Sequence, residues 1–215
     1  MPLPTFSNLP DEKRQKIIDC ALDEFSEHDY ESASISKVVA RAGIAKGSLY
    51  QYFKDKSDLY TYLLELVAET KARMMREAFP QNTDLPFFEK LQLLFTVMAG
   101  FEIQYPKLAS IGNKAVDGSA PMPADLVARG KQATISYFAD LIRSGISKGE
   151  INSAVDAEVA AFIFESALSE IGNFVSRKQS EIEAPEGEIP LPPQLVQMET
   201  LYQQMIEIFK NGIAS

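Results

Sequence analysis

Residues 34–58 read SISKVVARAGIAKGSLYQYFKDKSD, from Ser34 to Asp58. Ser34 stands before Ile35, Val38, Val39 and Ala42, which share one face of a short helix. Gly43 interrupts that helix. It lacks a Cβ and tolerates positive φ, so it suits a sharp turn. A second short helix is expected from Ala45 to Phe53. At about 100° per residue, Leu49, Phe53 and Ala45 face inward, while Gly47 and Gln51 face outward with Ser48 and Tyr50 beside them. Lys46 and Tyr52 lie at the margin of the inward face, and both are long enough to reach out. Two helices joined this way form a helix-turn-helix. The outward arc is small, hydroxyl-rich and amide-bearing. It suits a helix lying in a DNA major groove, where small residues allow close approach and Gln bonds base edges. Lys54 and Lys56 follow and suit phosphates. The same pattern also describes the polar face of an ordinary short helix, and geometry alone does not separate the two.

On either side the chain reads as helices. Asp11 and Glu12 follow Pro10 and open a helix bearing Ile17, Ile18, Ala21, Leu22 and Phe25, ending near His28-Asp29. Asp55 and Asp58 make an approximate capping box for a long helix that carries Leu59, Leu63, Leu66, Val67, Met74 and Phe79 and stops at Pro80. Leu85 to Tyr105 is apolar and closes at Pro106. Lys107 to Pro123 predicts a short helix and a loop. Helices follow over Ala124–Ser147, from a cap at Asp156 to Lys178, and over Gln194–Lys210. Ser180 to Pro193, rich in Pro and Glu, reads as a solvated connection. Alternating strand patterns are absent, so the expected fold is all-α.

Among 215 residues, 46% are apolar and 24% charged, as in a globular protein. One Cys (Cys20) and one His (His28) exclude an internal disulfide framework and the usual Cys/His zinc sites, and no cofactor is implied. His28 sits at a helix end, where a cation is favoured, and Cys20 reads as a partly covered, inert thiol. No acid/base or metal constellation appears, so an enzyme is not expected. The longest uncharged apolar stretch, Leu91 to Phe101, has 11 residues, short of the roughly 20 that cross a bilayer. Met1-Pro2-Leu3-Pro4 does not read as a signal peptide. A cytoplasmic protein with no membrane partner is expected. The net charge of −9 argues against nucleic acid. Residues 32–56, however, carry +4, against −5 before them and −8 after. A small basic island sits in an acidic chain.

The residues of that island resemble the N-terminal signature of the TetR family of bacterial transcriptional regulators. The resemblance rests on Ile35, Val39-Ala40-Arg41-Ala42-Gly43-Ile44, Lys46-Gly47-Ser48-Leu49-Tyr50-Gln51-Tyr52-Phe53-Lys54-Asp55-Lys56 and Leu59. It covers about residues 10–65; the rest is similar in architecture only. It implies a homodimeric repressor with a DNA-binding three-helix head, residues 1–56, and a regulatory, ligand-binding and dimerisation body, residues 57–215. It implies contacts to double-stranded operator DNA from Ser34, Ser36, Lys46, Gly47, Ser48, Tyr50, Gln51, Tyr52 and Lys56. Where the family often has Ser as the N-cap of the recognition helix, this chain has Ala45, which offers no acceptor. The competing reading is a helical small-molecule binding or sequestering protein that binds no operator.

Two expectations concern the body. Ala160, Ala161, Ala167 and Gly172, among Phe164, Leu168 and Ile171, suit close helix packing. With Met198, Leu201, Tyr202, Met205 and Phe209, they suggest a four-helix bundle between two protomers. Aromatic and Met side chains, including Met74, Met75, Met98, Phe101, Tyr105, Tyr137 and Phe138, suggest a mostly apolar cavity for an apolar or amphipathic effector. No Gly-rich loop or Arg cluster suits a phosphate sugar there. The polar residues Glu102, Asn113, Glu165 and Asn173 within apolar stretches each suit a satisfied core group, a dimer contact or a ligand anchor. The candidate effector contacts are Met98, Phe101, Tyr105, Tyr137, Phe138 and Glu165.

Overall fold

A helix leaves four N–H groups open at its start and four C=O groups at its end, and several helices here open and close on side chains suited to that need. Ser34 accepts from the Lys37 N–H, Asp55 from the Asp58 N–H at 2.8 Å, and Asp156 from Glu158 and Val159. Gly43 and Gly149, at φ 72° and 74°, end two helices in the left-handed region. At Gly43 the Ile44 N–H reaches the Val39 carbonyl at 3.0 Å, the six-to-one closure of a Schellman turn.

The computed structural model describes residues 2–78, 85–116, 118–121, 124–179 and 193–213; for residues 124, 125, 127, 169, 171–179, 193–199 and 213 it describes the backbone alone. These residues form α1 (Pro4–Ser7), α2 (Asp11–Glu27), α3 (Ile35–Ala42), α4 (Lys46–Leu49), α5 (Lys56–Ala78), α6 (Phe87–Gln104), α7 (Pro106–Val116), α8 (Ala124–Ser147), α9 (Ala157–Gln179) and α10 (Pro193–Ile213). No strand occurs among them, and none of these helices is long and apolar enough to cross a membrane. The fold is all-α, a helix-turn-helix head with a helical bundle. Phe79, Pro80 and the 180–192 connection lie outside the described residues, as do the side chains of Ile171, Gly172, Asn173 and Met198.

The chain packs into two units. The first joins Met1–Arg73 with Gln104–Pro123. Its core gathers Phe6, Ile17, Ala21, Phe25, Val38, Leu49, Phe53, Leu63 and Ile111. Helix α7, expected within the body, packs here on α2. Its Lys114 Nζ donates to the carbonyls of Phe25, Ser26 and His28 at 3.1, 2.9 and 2.8 Å. That closes the C-terminus of α2 with a cation, where the helix dipole favours one. Ser110 donates to the Ser26 carbonyl, and Tyr60 of α5 donates to the Ile111 carbonyl. Asp23 of α2 pairs with both Arg41 and Lys107. The hydrogen bond from Lys107 holds the Asp23 carboxyl below its ordinary range, with Arg41 adding to that and burial opposing it.

The second unit joins Met74–Ile103 with Ala124–Ser215. Phe138, Phe164 and Phe209 stack in its core, with centroids 5.2 and 3.7 Å apart along the pile, and Tyr202 lies flat on Phe95 at 4.4 Å. Burial, with Glu102 nearby, pushes the Tyr202 hydroxyl up to about 12. Gly145 lets α8 approach the chain after it: a Cβ there would sit 2.8 Å from Ile151 Cδ1. The expected dimer stripe is partly corrected. Ala160, Ala161 and Phe164 are buried in the protomer's own core. Among the described side chains of α9 and α10, the large apolar ones left exposed are Val159, Phe162, Ile163 and Ile208.

Candidate nucleic-acid interface

The platform is built from α2 outward. Ile17, Ala21 and Phe25 are anchored in the core, and the same helix carries Glu24, only 2% exposed. Its Oε1 accepts the Ser34 N–H at 2.8 Å, with the Lys37 Nζ 4.0 Å and the His28 Nδ1 3.9 Å away. A buried carboxylate on one helix thus fixes the first residue of the next. Ser34 is spent on the cap of α3, and Ser36 and Lys37 are exposed beside it.

After Gly43 the chain enters α4, which is shorter than the Ala45–Phe53 helix expected. Four residues, Lys46–Leu49, are helical. Bonds from Gln51 to Ser48, and from Tyr52 and Phe53 to Leu49, carry the turn onward. Leu49 and Phe53 are locked in the core at 2% and 1% exposure. Ala45, expected inward, is exposed, because it is the extended N-cap residue and precedes the helical winding. It makes no side-chain cap. Lys46, Gly47, Tyr50, Gln51 and Lys54 are exposed and Ser48 half-buried.

Tyr52 departs from expectation. It is buried, with its ring centroid 5.8 Å from that of Phe6. The cause is α1, which residue patterns did not reveal: Pro2-Leu3-Pro4 shows no periodicity, and its contacts lie some fifty residues away. Lys56 is half-buried. Its ammonium donates to the Glu31 carbonyl at 3.2 Å and lies 4.6 Å over the Tyr30 ring. Within the basic island, Arg41 and Lys56 therefore hold the head together, while Lys46 and Lys54 project from it.

The six candidate effector residues are divided between the two units. Tyr105 belongs to the first unit, where its hydroxyl accepts from Arg73 at 3.0 Å. The other five belong to the second. There Phe101 and Phe138 are buried and Met98 is half-buried, whereas Tyr137 is exposed. Glu165 is buried, with the Lys131 Nζ 3.2 Å from its Oε2.

Comparison with known proteins agrees with this architecture. Residues 17–63 match the family of bacterial regulatory proteins, tetR family, and residues 85–214 match the tetracyclin repressor-like C-terminal domain. A TetR family transcriptional regulator from Chloroflexus aurantiacus is 35% identical, with a TM-score of 0.71 over 100% of this chain and 99% of its own. The fatty acid metabolism regulator protein of Bacillus subtilis is 25% identical over 74% of this chain and 80% of its own length. The fold is shared at TM-score 0.66 with the transcriptional regulator FadR of Bacillus subtilis, solved with stearoyl-CoA. That chain is 19% identical, the match covering 89% of this chain and 96% of FadR. With its helix-turn-helix head and its helical C-terminal domain both matched, the chain belongs to the TetR family of bacterial transcriptional regulators.

Proposed function

We propose that this DNA-binding regulator reads its operator with the turn from Lys46 to Gln51, and that it acts as a repressor. Gly47 allows close approach to the groove, Gln51 and Tyr50 meet base edges, and Ser36, Ser48, Lys46 and Lys54 take phosphates. The observation that carries this is the two-sidedness of the turn. Leu49 and Phe53 are buried, while Lys46, Gly47, Tyr50 and Gln51 are all exposed. The operator-reading residues lie within 1–56, and residues 57–215 regulate them, with α7 also closing the first unit. It is tested with a duplex selected by the wild-type chain from a random pool. Gln51→Ala should lower the preference for that duplex over a scrambled one, and an unchanged preference would refute the reading.

Two protomers associate through α9 and α10. Val159, Phe162, Ile163 and Ile208 supply the apolar contact, and a two-fold dimer calls for a near-palindromic site. An apolar or amphipathic effector, of which an acyl compound is one class, favours a separation of the two heads that the operator does not, and so releases the DNA. The relatives named for fatty acid metabolism and solved with stearoyl-CoA support that class of ligand. The protein would then work in the cytoplasm, where its operator lies.

A further inference from the structure

The recognition turn is supported from behind by the segment before α2. Helix α4 has four residues and no side-chain N-cap, too little to hold its own geometry. The carbonyls of Gln51 and Tyr52, just past its end, need donors. Both donors come from the N-terminal segment. Thr5 Oγ1 donates to the Gln51 carbonyl, and the Leu3 N–H donates to the Tyr52 carbonyl at 2.7 Å.

Between these two bonds and α5 sits Phe6, 1% exposed. Its ring lies 5.8 Å from Tyr52, 4.7 Å from Phe53 and 5.5 Å from Tyr62. The segment is tied to α2 in turn, because Arg14 donates to the carbonyls of Ser7 and Leu9 at 3.1 and 3.4 Å. Pro2 to Pro10 carry no charged side chain.

We infer that Leu3, Thr5 and Phe6 are positioning residues for operator recognition: they hold the backbone of Gln51 and Tyr52 so that the Gln51 side chain meets its base at a fixed angle. This rests on the proposal that Gln51 reads bases. A loosened backbone costs a directional hydrogen bond more than it costs an attraction to phosphate. Loss of the brace therefore weakens binding to the right sequence and leaves binding to the wrong one as it was.

The test uses the full chain and a duplex selected from a random pool by the wild type, with a scrambled duplex beside it. Dissociation constants are read by fluorescence anisotropy at several salt concentrations for Thr5→Val, Thr5→Ser, Phe6→Leu and Gln51→Ala. Melting curves establish that each variant is folded at the measuring temperature. Thr5→Val keeps the size of the side chain and removes its donor, so it carries the test even if Phe6→Leu fails to fold.

Thr5→Val and Phe6→Leu should each lower the preference for the selected duplex by roughly threefold to tenfold, less than the loss of a whole bidentate pair. The scrambled duplex should bind as before, with the same salt slope. Thr5→Ser should restore the wild-type preference. If Thr5→Val and Phe6→Leu keep that preference while Gln51→Ala loses it, the brace is refuted and the base-reading face stands. Equal weakening on both duplexes also refutes the brace. If Gln51→Ala keeps the wild-type preference, the face itself is wrong, and the brace has nothing to position.

Discussion

Single side chains divide into those that build the head and those it presents. Lys54 is exposed and suits a phosphate, so Lys54→Ala should weaken all DNA alike and lower the salt slope by about one. Gln51→Ala should cost about 1–3 kcal/mol on the preferred sequence. Anisotropy titrations across salt separate the two outcomes. Lys56 would give a mixed result, since its ammonium also holds Glu31 and Tyr30. Ala45 offers a gain. Its extended backbone, φ −68° and ψ 145°, is that of an N-cap, so Ala45→Ser should raise stability by about 1 kcal/mol in a urea titration. Asp23 sets an acid limit. Its carboxyl is held below the ordinary value, so its stabilisation is complete above about pH 4, the unfolded value. It is lost as pH falls through the folded value. Its partners are about half exposed, so the effect is roughly 0.2–1 kcal/mol. Asp23→Asn should flatten the pH dependence of melting below about pH 4 by that amount.

Elements were legible in the sequence where one local pattern decided them. Ser34, Gly43 and the Asp55/Asp58 pair announce helix ends, and the stripe over Ile35, Val38, Val39 and Ala42 is buried as spaced. What was not legible depends on partners far along the chain. Helix α1 and the inward turn of Tyr52 exist because Phe6 packs on residues 52, 53 and 62. The true place of α7 depends on Lys114 meeting three backbone carbonyls, and carbonyls carry no residue signature. The spacing of small residues on α9 suits a contact between protomers, yet Ala160 and Ala161 are buried within one. Lys114→Met tests the closure of α2. It removes a cation from three acceptors and should destabilise by about 1.5–3 kcal/mol in urea melts.

The whole molecule combines a small basic island, on which the proposed reading turn lies, with a net charge of −9. The acidic remainder repels phosphate, so DNA is approached from the basic island. Exposed apolar side chains on α9 and α10 call for a partner copy. Light scattering at micromolar concentration should give twice the chain mass, and Phe162→Asp with Ile163→Asp should shift it toward one. Saturating apolar effector, at a hundred times its dissociation constant, should stabilise the native state by about 2.7 kcal/mol. A thermal-shift panel of acyl and aromatic compounds checks this. The first unit is discontinuous in sequence, because α7 returns to it after α6. A nascent chain emerging from the ribosome therefore cannot finish its head until residue 114 has been made and can reach the end of α2. For the same reason a chimera grafting residues 1–56 onto a foreign regulator inherits an unclosed helix. A transplantable reader module must be cut so that α7 travels with it and not with the body left behind.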